Sequence, residues 1–198
     1  MNQPCAYCSA NATYRDRERG VCLCPAHARL EVTGPRGKAP RPPLTVRPAT
    51  PADRPRIADL ANHFWDETEV ECFDRTYQVD TLPAYVTCDG DEIIGVAVYA
   101  REEDATTLVM INVLPRWQGR GVGRGLIAAV TEVARAEGAE RLIVATTNDD
   151  LPALGLYQQL GFTITDVVVG KLLEHHGGVE TGFAGIPVRD EIRMELIL

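Results

Sequence analysis

The chain has 198 residues, of which 45% are hydrophobic and 24% are charged, and this composition excludes a disordered or fibrous protein. The length predicts one or two domains, and no apolar run reaches the ~18 residues that a membrane helix needs. Of the net charge of −8, residues 1–44 hold seven Lys/Arg against three Asp/Glu, and the rest hold 13 against 25. This acidic body disfavours nucleic-acid binding and favours cationic partners. Because no secretory signal is visible, we expect a cytoplasmic protein.

The N-terminal segment contains four of the six cysteines within its first 24 residues. Cys5-x2-Cys8 is followed, after fifteen residues, by Cys24-x2-His27. Two such pairs at this separation are typical of a structural zinc site, because each pair on a tight turn supplies two of four tetrahedral ligands. The segment also has too few large apolar side chains to fold unaided, so that a metal would supply the missing free energy. Reduced thiols without a metal are the competing interpretation.

The boundaries of this module follow from composition. Residues 1–32 form the predicted zinc module, which resembles short zinc-ribbon modules and is expected to contain a hairpin between its two ligand pairs. Residues 33–44 are rich in proline and glycine, which predicts a linker. Residues 45–198 then form the second domain. Cys22 is an alternative to Cys24 as a ligand, and we prefer Cys24 because of its two-residue spacing to the histidine.

Strands and helices alternate in the predicted elements of the second domain, which predicts a mixed sheet with helices packed on it. Thr50 is a typical capping residue with Pro51 at the first helical position. The acidic stretch at 65–77 has no clear assignment. In chain order the predicted elements are a strand at 44–47, a helix after Thr50, strands at 84–87, 93–99 and 106–113, a helix from 122 to about 138, a strand at 142–146, a helix at 151–160, and strands at 162–169 and 192–198.

A glycine-rich turn at 118–125 joins the buried strand at 106–113 to the clearest amphipathic helix of the chain. Glycines let the backbone approach a ligand closely, and the unpaired N–H groups of a helix start attract phosphate. Arg120 and Arg124 add positive charge. Neither a P-loop nor a dinucleotide fingerprint fits, because the P-loop lysine is missing and the glycine spacing differs. The alternative is a loop that only connects strand to helix.

These motifs closely resemble those of the GNAT superfamily of acyl-CoA-dependent N-acyltransferases. The family signature Gln/Arg-x-x-Gly-x-Gly/Ala is matched by Gln118, Gly121 and Gly123. A preceding Val-x-Pro is matched at 113–115, and a later Leu-Tyr-x3-Gly-Phe at 156–162. The resemblance covers the second domain and is strongest in its second half. It implies an α/β fold with a mixed, mostly antiparallel central sheet flanked by helices.

The resemblance also implies which residues bind acetyl-CoA and which one takes part in catalysis. Main-chain groups around Asn112 and Val113 would pair with the pantetheine arm, and one amide there would polarise the thioester carbonyl. Asn148 would contact or position the cofactor. Tyr157 would protonate the departing thiolate, since a phenol with a pKa of ~10 is protonated at neutral pH. The diphosphate would lie against Gln118, Gly119, Arg120, Gly121, Val122, Gly123 and Arg124.

The sequence departs from the family pattern at two places. Asp150 stands where members often have asparagine, and the strand at 106–114 lacks the carboxylate that serves many members as a base. The general base is therefore unassigned. Four carboxylates lie where the acceptor-lining loop would fall and could act through water, namely Asp66, Glu67, Glu69 and Glu71.

Together these features predict an N-acetyltransferase that moves an acetyl group from acetyl-CoA to a primary amine by direct attack in a ternary complex. The acceptor is expected to be a cationic small molecule or a protein amine. The alternative is a non-catalytic acyl-CoA sensor whose zinc module contacts a protein or nucleic-acid partner. The missing strand carboxylate favours this alternative. The sequence is compatible with a homodimer.

Overall fold

A computed structural model places a seven-stranded mixed sheet at the centre of the chain. Among the residues described, no helix is both long and apolar enough to cross a membrane. The structure describes residues 14–16, 21–23, 44–65, 67–175 and 180–198.

The N-terminal module is described only at its hairpin. Strand β1 (Tyr14–Asp16) pairs antiparallel with β2 (Val21–Leu23), which confirms the hairpin expected between the two ligand pairs. The predicted zinc ligands lie outside the described residues, so the site stays a prediction from sequence. Those ligands are Cys5, Cys8, Cys24 and His27.

The second domain follows the predicted alternation of strands and helices. Its elements are β3 (Thr45–Pro48), α1 (Arg54–Trp65), β4 (Glu69–Cys72), β5 (Arg75–Gln78), β6 (Ala84–Asp89), β7 (Glu92–Arg101), β8 (Ala105–Val113), α2 (Val122–Ala136), β9 (Arg141–Thr147), α3 (Leu151–Gln159), β10 (Thr163–Val168), α4 (Lys171–His175), β11 (Glu180–Thr181), β12 (Pro187–Val188) and β13 (Glu191–Ile197).

The central sheet has the strand order β10-β13-β9-β8-β7-β6-β3. Every neighbouring pair is antiparallel except β8 and β9, which are parallel. Helix α2 is the crossover between these two parallel strands. This topology confirms the predicted α/β fold with a mixed, mostly antiparallel sheet.

Helix α1 begins at a network of polar groups, as Thr50 predicts. The Asp53 carboxylate accepts hydrogen bonds from the Thr50 N–H and hydroxyl, both at 2.7 Å. Arg47 of β3 donates two more, at 2.7 and 2.9 Å, and these bonds hold the pKa of Asp53 well below its usual range. The helix then buries Ile57 and Leu60 in the core. The network therefore fixes α1 to the sheet edge.

The acidic stretch without a predicted assignment forms the β4–β5 hairpin. Its two-residue turn has Phe73 at φ 51° and Asp74 at φ 58°, as a type I′ turn requires. Phenylalanine is rare at positive φ, so the turn carries no recognisable signal. The alternation in β4, where Val70 and Cys72 are buried and the two glutamates are exposed, is the only sign of a strand.

Strands β8 and β9 pair only at their beginnings. Their paired residues run from Ala105 to Leu108 on β8, and Leu108 faces Val144 of β9. Directly afterwards the β7–β8 register shifts, leaving Val109 as an extra residue. Such a bulge bends its strand. The far ends of β8 and β9 are therefore separated.

Helix α2 packs closely on the sheet at Gly95 of β7. A Cβ atom at Gly95 would lie 2.8 Å from Val122 Cγ1 and 3.2 Å from Leu126 Cδ1. Val122, Leu126 and Val130 of the predicted apolar face are all buried. The absence of a side chain at position 95 thus sets the position of the helix start.

Candidate active site

A cavity of about 360 Å³ occupies the gap between the separated ends of β8 and β9. Side chains on the two sides of β8 show that it passes through the sheet. Asn112 of the cavity wall bonds to Trp65 of α1, whereas Ile111, which also lines the cavity, faces Gly123 of α2 on the opposite side. The polar and aromatic residues of its wall include Trp65, Glu67, Glu71, Asn112, Asp150, Tyr157, Lys171 and Glu191.

The glycine-rich turn presents its backbone at the start of α2. Gly119 and Gly121 have φ angles of 70° and 86°, which only glycine adopts readily. The first helical hydrogen bond runs from Gly125 N–H to Gly121 O at 2.9 Å. The N–H groups of 122–124 precede this bond and have no intrahelical acceptor. They therefore form a group of donors that can bind an anion.

The two predicted arginines flank this helix start and are exposed. The Arg120 guanidinium lies over the Trp117 ring, 5.2 Å from its centroid. Arg124 donates to the neutral amide of Gln159 at 3.3 Å. In the part of the chain that the structure describes, neither arginine forms a salt bridge. Their positive charge therefore adds to that of the helix dipole.

Hydrogen bonding in β8 decides which main-chain groups face the cavity. Leu114 N–H donates to Ile94 O of β7 at 2.9 Å. Because bonded and non-bonded pairs alternate in an antiparallel ladder, the main chain of Asn112 also faces β7. The N–H and C=O groups of Ile111 and Val113 face the gap instead. Sequence reasoning named Asn112 and Val113 and missed Ile111, because the register was unknown.

Gln118 connects the glycine-rich turn to the end of β8. Its Nε2 donates to the Val113 carbonyl at 3.0 Å, on the side that faces the gap. The first residue of the motif therefore connects the strand end to the helix start.

The side-chain amide of Asn112 lies in the cavity wall and is 8% exposed. Its Oδ1 accepts a hydrogen bond from Trp65 Nε1 at 3.0 Å. Among the described residues, no atom accepts a hydrogen bond from its Nδ2. The residue thus combines a cavity-facing side chain with a main chain that is engaged by β7.

Tyr157 of α3 is 3% exposed and lines the cavity. Its ring packs against Phe162, with 5.5 Å between centroids. Burial raises the pKa of Tyr157 above its ordinary value, and the nearby Asp150 charge adds to this. Asp150 caps α3 by accepting from Ala153 N–H at 3.1 Å, and burial raises the pKa of its carboxyl. The phenol is therefore protonated at neutral pH.

Asn148 has both ends of its side-chain amide engaged. Its Nδ2 donates to Pro187 O at 2.9 Å, and its Oδ1 accepts from the N–H groups of Arg189 and Asp190 at 2.8 and 2.9 Å. The side chain holds the segment before β13 against the end of β9. It positions the cavity wall through these contacts.

The predicted acceptor-side carboxylates separate into different environments. Glu67 and Glu71 line the cavity. Glu69 accepts a hydrogen bond from Gln78 on the exposed face of the hairpin, at 2.5 Å. Asp66 lies outside the described residues.

Sequence reasoning missed Glu191, which is 5% exposed at the start of β13 and lines the cavity. Its Oε1 accepts from Arg193 Nε at 2.6 Å. Arg193 also binds Asp74 at 2.8 Å, and Lys171 binds Glu71 and Asp74 at 2.7 and 2.9 Å. These ion pairs attach the β4–β5 hairpin to the cavity wall. No motif marks Glu191, because strand pairing alone brings it to the cavity.

Comparison with known proteins identifies the family. The chain matches the Acetyltransferase (GNAT) family over residues 54–162. It is 34% identical over 116 residues to an uncharacterised N-acetyltransferase of Bacillus subtilis (strain 168), covering 58% of this chain and 74% of the relative. It is 29% identical over 137 residues to the aminoglycoside N(6′)-acetyltransferase type 1 of Stenotrophomonas maltophilia, covering 63% of this chain and 90% of that protein.

Solved structures agree with this assignment. The IAA acetyltransferase from Bacillus cereus ATCC 14579 superimposes with a TM-score of 0.64 at 25% identity, covering 79% of this chain and 100% of that one. A GNAT family acetyltransferase from Elizabethkingia anophelis, solved with acetyl-CoA bound, gives a TM-score of 0.61 at 25% identity, covering 78% and 98%. The predicted resemblance is confirmed: this chain belongs to the acetyltransferase (GNAT) family.

Proposed function

We propose that the chain transfers an acetyl group from acetyl-CoA to the primary amine of a cationic acceptor, by direct attack within a ternary complex. The observation that carries this proposal is the cavity through the sheet. A helix start with free N–H groups lies on one side of the sheet, and carboxylates lie on the other. The cofactor and the acceptor can then enter from opposite faces and meet in the gap, where positioning supplies much of the rate.

Backbone groups at the start of α2 and at the end of β8 would bind acetyl-CoA. The N–H groups of 122–124, together with Arg120 and Arg124, would bind the diphosphate of acetyl-CoA. The main-chain edge at Ile111 and Val113 would pair with the amides of the pantetheine arm, as a neighbouring strand would. Gln118 already donates to the Val113 carbonyl, so that the N–H groups and the Ile111 carbonyl are the groups left for this pairing. One N–H of this edge would stabilise the oxyanion that forms on the thioester carbonyl.

The chemical step moves two protons. The amine nitrogen attacks the thioester carbon, and the C–S bond then breaks to release the thiolate of CoA. Tyr157 would give its hydroxyl proton to that thiolate, since burial keeps the phenol protonated. The amine proton would pass through water to Glu191, a buried carboxylate of the wall. A cation binds each of the two wall carboxylates, Arg193 at Glu191 Oε1 and Lys171 at Glu71. Glu71 is less suited because its side chain is 36% exposed to solvent, against 6% for Glu191.

The acceptor side carries net negative charge. Glu67, Glu71 and Glu191 line it, with Asp74 beside them. Lys171 and Arg193 are each bound to two carboxylates, so that four carboxylates stand against two cations. An ammonium group is attracted to such a wall, which supports the expected cationic acceptor. The aminoglycoside acetyltransferase noted above is a relative whose name specifies an acceptor of this kind.

Turnover of acetyl-CoA against a panel of amines, followed by release of free thiol, tests the proposal. We expect turnover with cationic amines and a loss of kcat in Glu191→Gln that is larger than any change in acetyl-CoA affinity. Micromolar binding of CoA without turnover would instead support the sensor. The family's named acetyltransferases disfavour that alternative.

The zinc site of the N-terminal module is proposed from the spacing of its cysteines and histidine. We propose that Cys5, Cys8, Cys24 and His27 bind one structural zinc ion, with Cys22 as the alternative to Cys24. The boundaries of the module, a homodimer and a cytoplasmic location likewise stay predictions. Metal analysis of protein purified without chelators tests the zinc site.

A further inference from the structure

One polar group in the cavity is used neither by the fold nor by the proposed chemistry, namely the Nδ2 of Asn112. The residue is 8% exposed and lines the cavity. No described residue accepts a hydrogen bond from this nitrogen. A buried donor that is left unpaired destabilises the folded state. A group held at that cost inside a binding cavity points to a ligand atom that accepts its hydrogen bond.

The orientation of this amide is fixed by Trp65. The indole Nε1–H is a donor only, and it lies 3.0 Å from the Asn112 oxygen. Reversing the amide would bring two donors together, so the oxygen faces the indole and the nitrogen points away from it. Trp65 is the last residue of α1. It therefore positions the Asn112 donor from outside the sheet.

The donor lies on the acceptor side of the sheet. Side chains alternate along β8, so Asn112 faces α1 while Val113 faces Gly123 and the helix start on the other side. The β4–β5 hairpin lies against Glu191 and its neighbour Arg193, since Arg193 binds Asp74 of the hairpin turn. Residues of the hairpin and of α1 both line the cavity. Asn112 thus borders the space assigned to the acceptor, with its Nδ2 group buried in the wall.

We propose that Asn112 selects acceptors that carry a neutral, hydrogen-bond-accepting oxygen beside the reacting amine. This chemistry occurs in vicinal amino alcohols and in α-amino amides, and it is absent from alkylamines and polyamines. A neutral oxygen is required because carboxylates outnumber cations on the acceptor side, and this excess of negative charge would repel an acceptor carboxylate. The inference rests on the proposed acetyl transfer and narrows its substrate class.

Matched pairs of amines test this selection. 1-Amino-2-propanol is compared with isobutylamine, and L-alaninamide with 3-methylbutan-2-amine, so that each pair differs in the oxygen-bearing group. Sites that hydrogen-bond a substrate oxygen reject analogues lacking it, by up to about 10⁴–10⁵ where the group is left dry. Because water can enter this cavity, we expect a kcat/KM ratio of about 10–100 within each pair. Comparing the ratio of the first pair with that of the second shows whether the site prefers amino alcohols or amino amides.

Three variants test whether the Asn112 side-chain amide causes the difference in kcat/KM within each pair. Asn112→Asp keeps the acceptor for Trp65 but removes the donor, and Trp65→Phe releases the amide from its fixed orientation. Both are expected to lower the ratio at least fivefold. The control is Asn62→Ala, because Asn62 lies on the exposed face of α1 and donates only to Ala58 O. It should leave the ratio unchanged. Thermal unfolding shows that each variant is folded.

Different results overturn different parts of the proposal. A ratio near one in both pairs, with alkylamines acetylated, would overturn the selection while acetyl transfer stands. A higher kcat/KM for L-alanine than for L-alaninamide would overturn the requirement for a neutral oxygen. If Asn112→Asp instead weakened acetyl-CoA binding and left the ratio unchanged, the amide would belong to the cofactor side. Absence of turnover with every amine would contradict the proposed function itself.

Discussion

Replacing Gly95 with alanine should displace the start of α2. The new Cβ would lie 2.8 Å from Val122 Cγ1 and 3.2 Å from Leu126 Cδ1, whereas carbon atoms pack at about 3.5–4.0 Å. Both side chains are buried, at 3% and 0% exposure, so that neither can turn out into solvent. The helix start must therefore move outward by about 1 Å. Overpacking of this kind costs about 1–3 kcal/mol of unfolding free energy.

The same displacement should weaken cofactor binding. The N–H groups of 122–124 begin the displaced turn, so hydrogen bonds to a diphosphate would lengthen by a large fraction of the movement. We expect the Kd of acetyl-CoA to rise about tenfold, which corresponds to ~1.4 kcal/mol. Calorimetric titration measures this change at a temperature where the variant is folded.

Gly125→Ala is the matched control on the same helix. Its Cβ would meet Val46 Cγ2 at an ordinary 3.5 Å, and alanine in place of a helical glycine adds up to about 1 kcal/mol. Thermal unfolding should therefore show a lower Tm for Gly95→Ala and a higher one for Gly125→Ala, by about 2–4 °C per kcal/mol. An unchanged Tm for Gly95→Ala would contradict the packing argument. A lowered Tm with unchanged acetyl-CoA affinity would contradict the role of the helix start.

Three further predictions concern a proton donor, a structural carboxylate and the metal. Tyr157→Phe should lower kcat about 100-fold with little change in acetyl-CoA affinity, and an unchanged kcat would remove the acid role. Asp53→Asn should cost about 2 kcal/mol of stability. Because the folded pKa of Asp53 lies below its unfolded value, the stabilisation by Arg47 is present above about pH 4 and is lost as the pH falls further. The wild-type protein should therefore lose stability between about pH 4 and 2 more steeply than the variant does, and parallel curves would refute this. Metal analysis should find one zinc per chain, retained in Cys22→Ser and lost in Cys24→Ser, and the reverse pattern would exchange the two ligands.

Periodicity and glycine spacing predicted most of the sheet and the start of α2. The buried run of β8 and the apolar face of α2 have strong patterns, because each packs a whole face against the core. The β4–β5 hairpin was missed, since its turn places Phe73 at positive φ, where glycine or asparagine is expected. Burial of alternate residues in β4 depends on tertiary contacts that the sequence does not display.

The candidate site was predictable where it follows a local motif. The glycine-rich turn and Tyr157 belong to short patterns, and both lie at or near the gap between β8 and β9. Glu191 was not predictable, because strand register across the sheet brings it to the cavity. The bulge at Val109 has no signature either, although it turns the Ile111 main chain toward the gap. These features depend on pairing between distant segments.

The central claim is that the backbone at the start of α2 binds the diphosphate of coenzyme A. It is tested most directly by following the ¹⁵N–¹H signals of Val122, Gly123 and Arg124 during titration with CoA, with 3′-phospho-ADP and with pantetheine. We predict large shifts of these amides with the two diphosphate-containing ligands and small shifts with pantetheine. Saturating CoA that left all three signals in place, while signals elsewhere in the chain moved, would contradict the account.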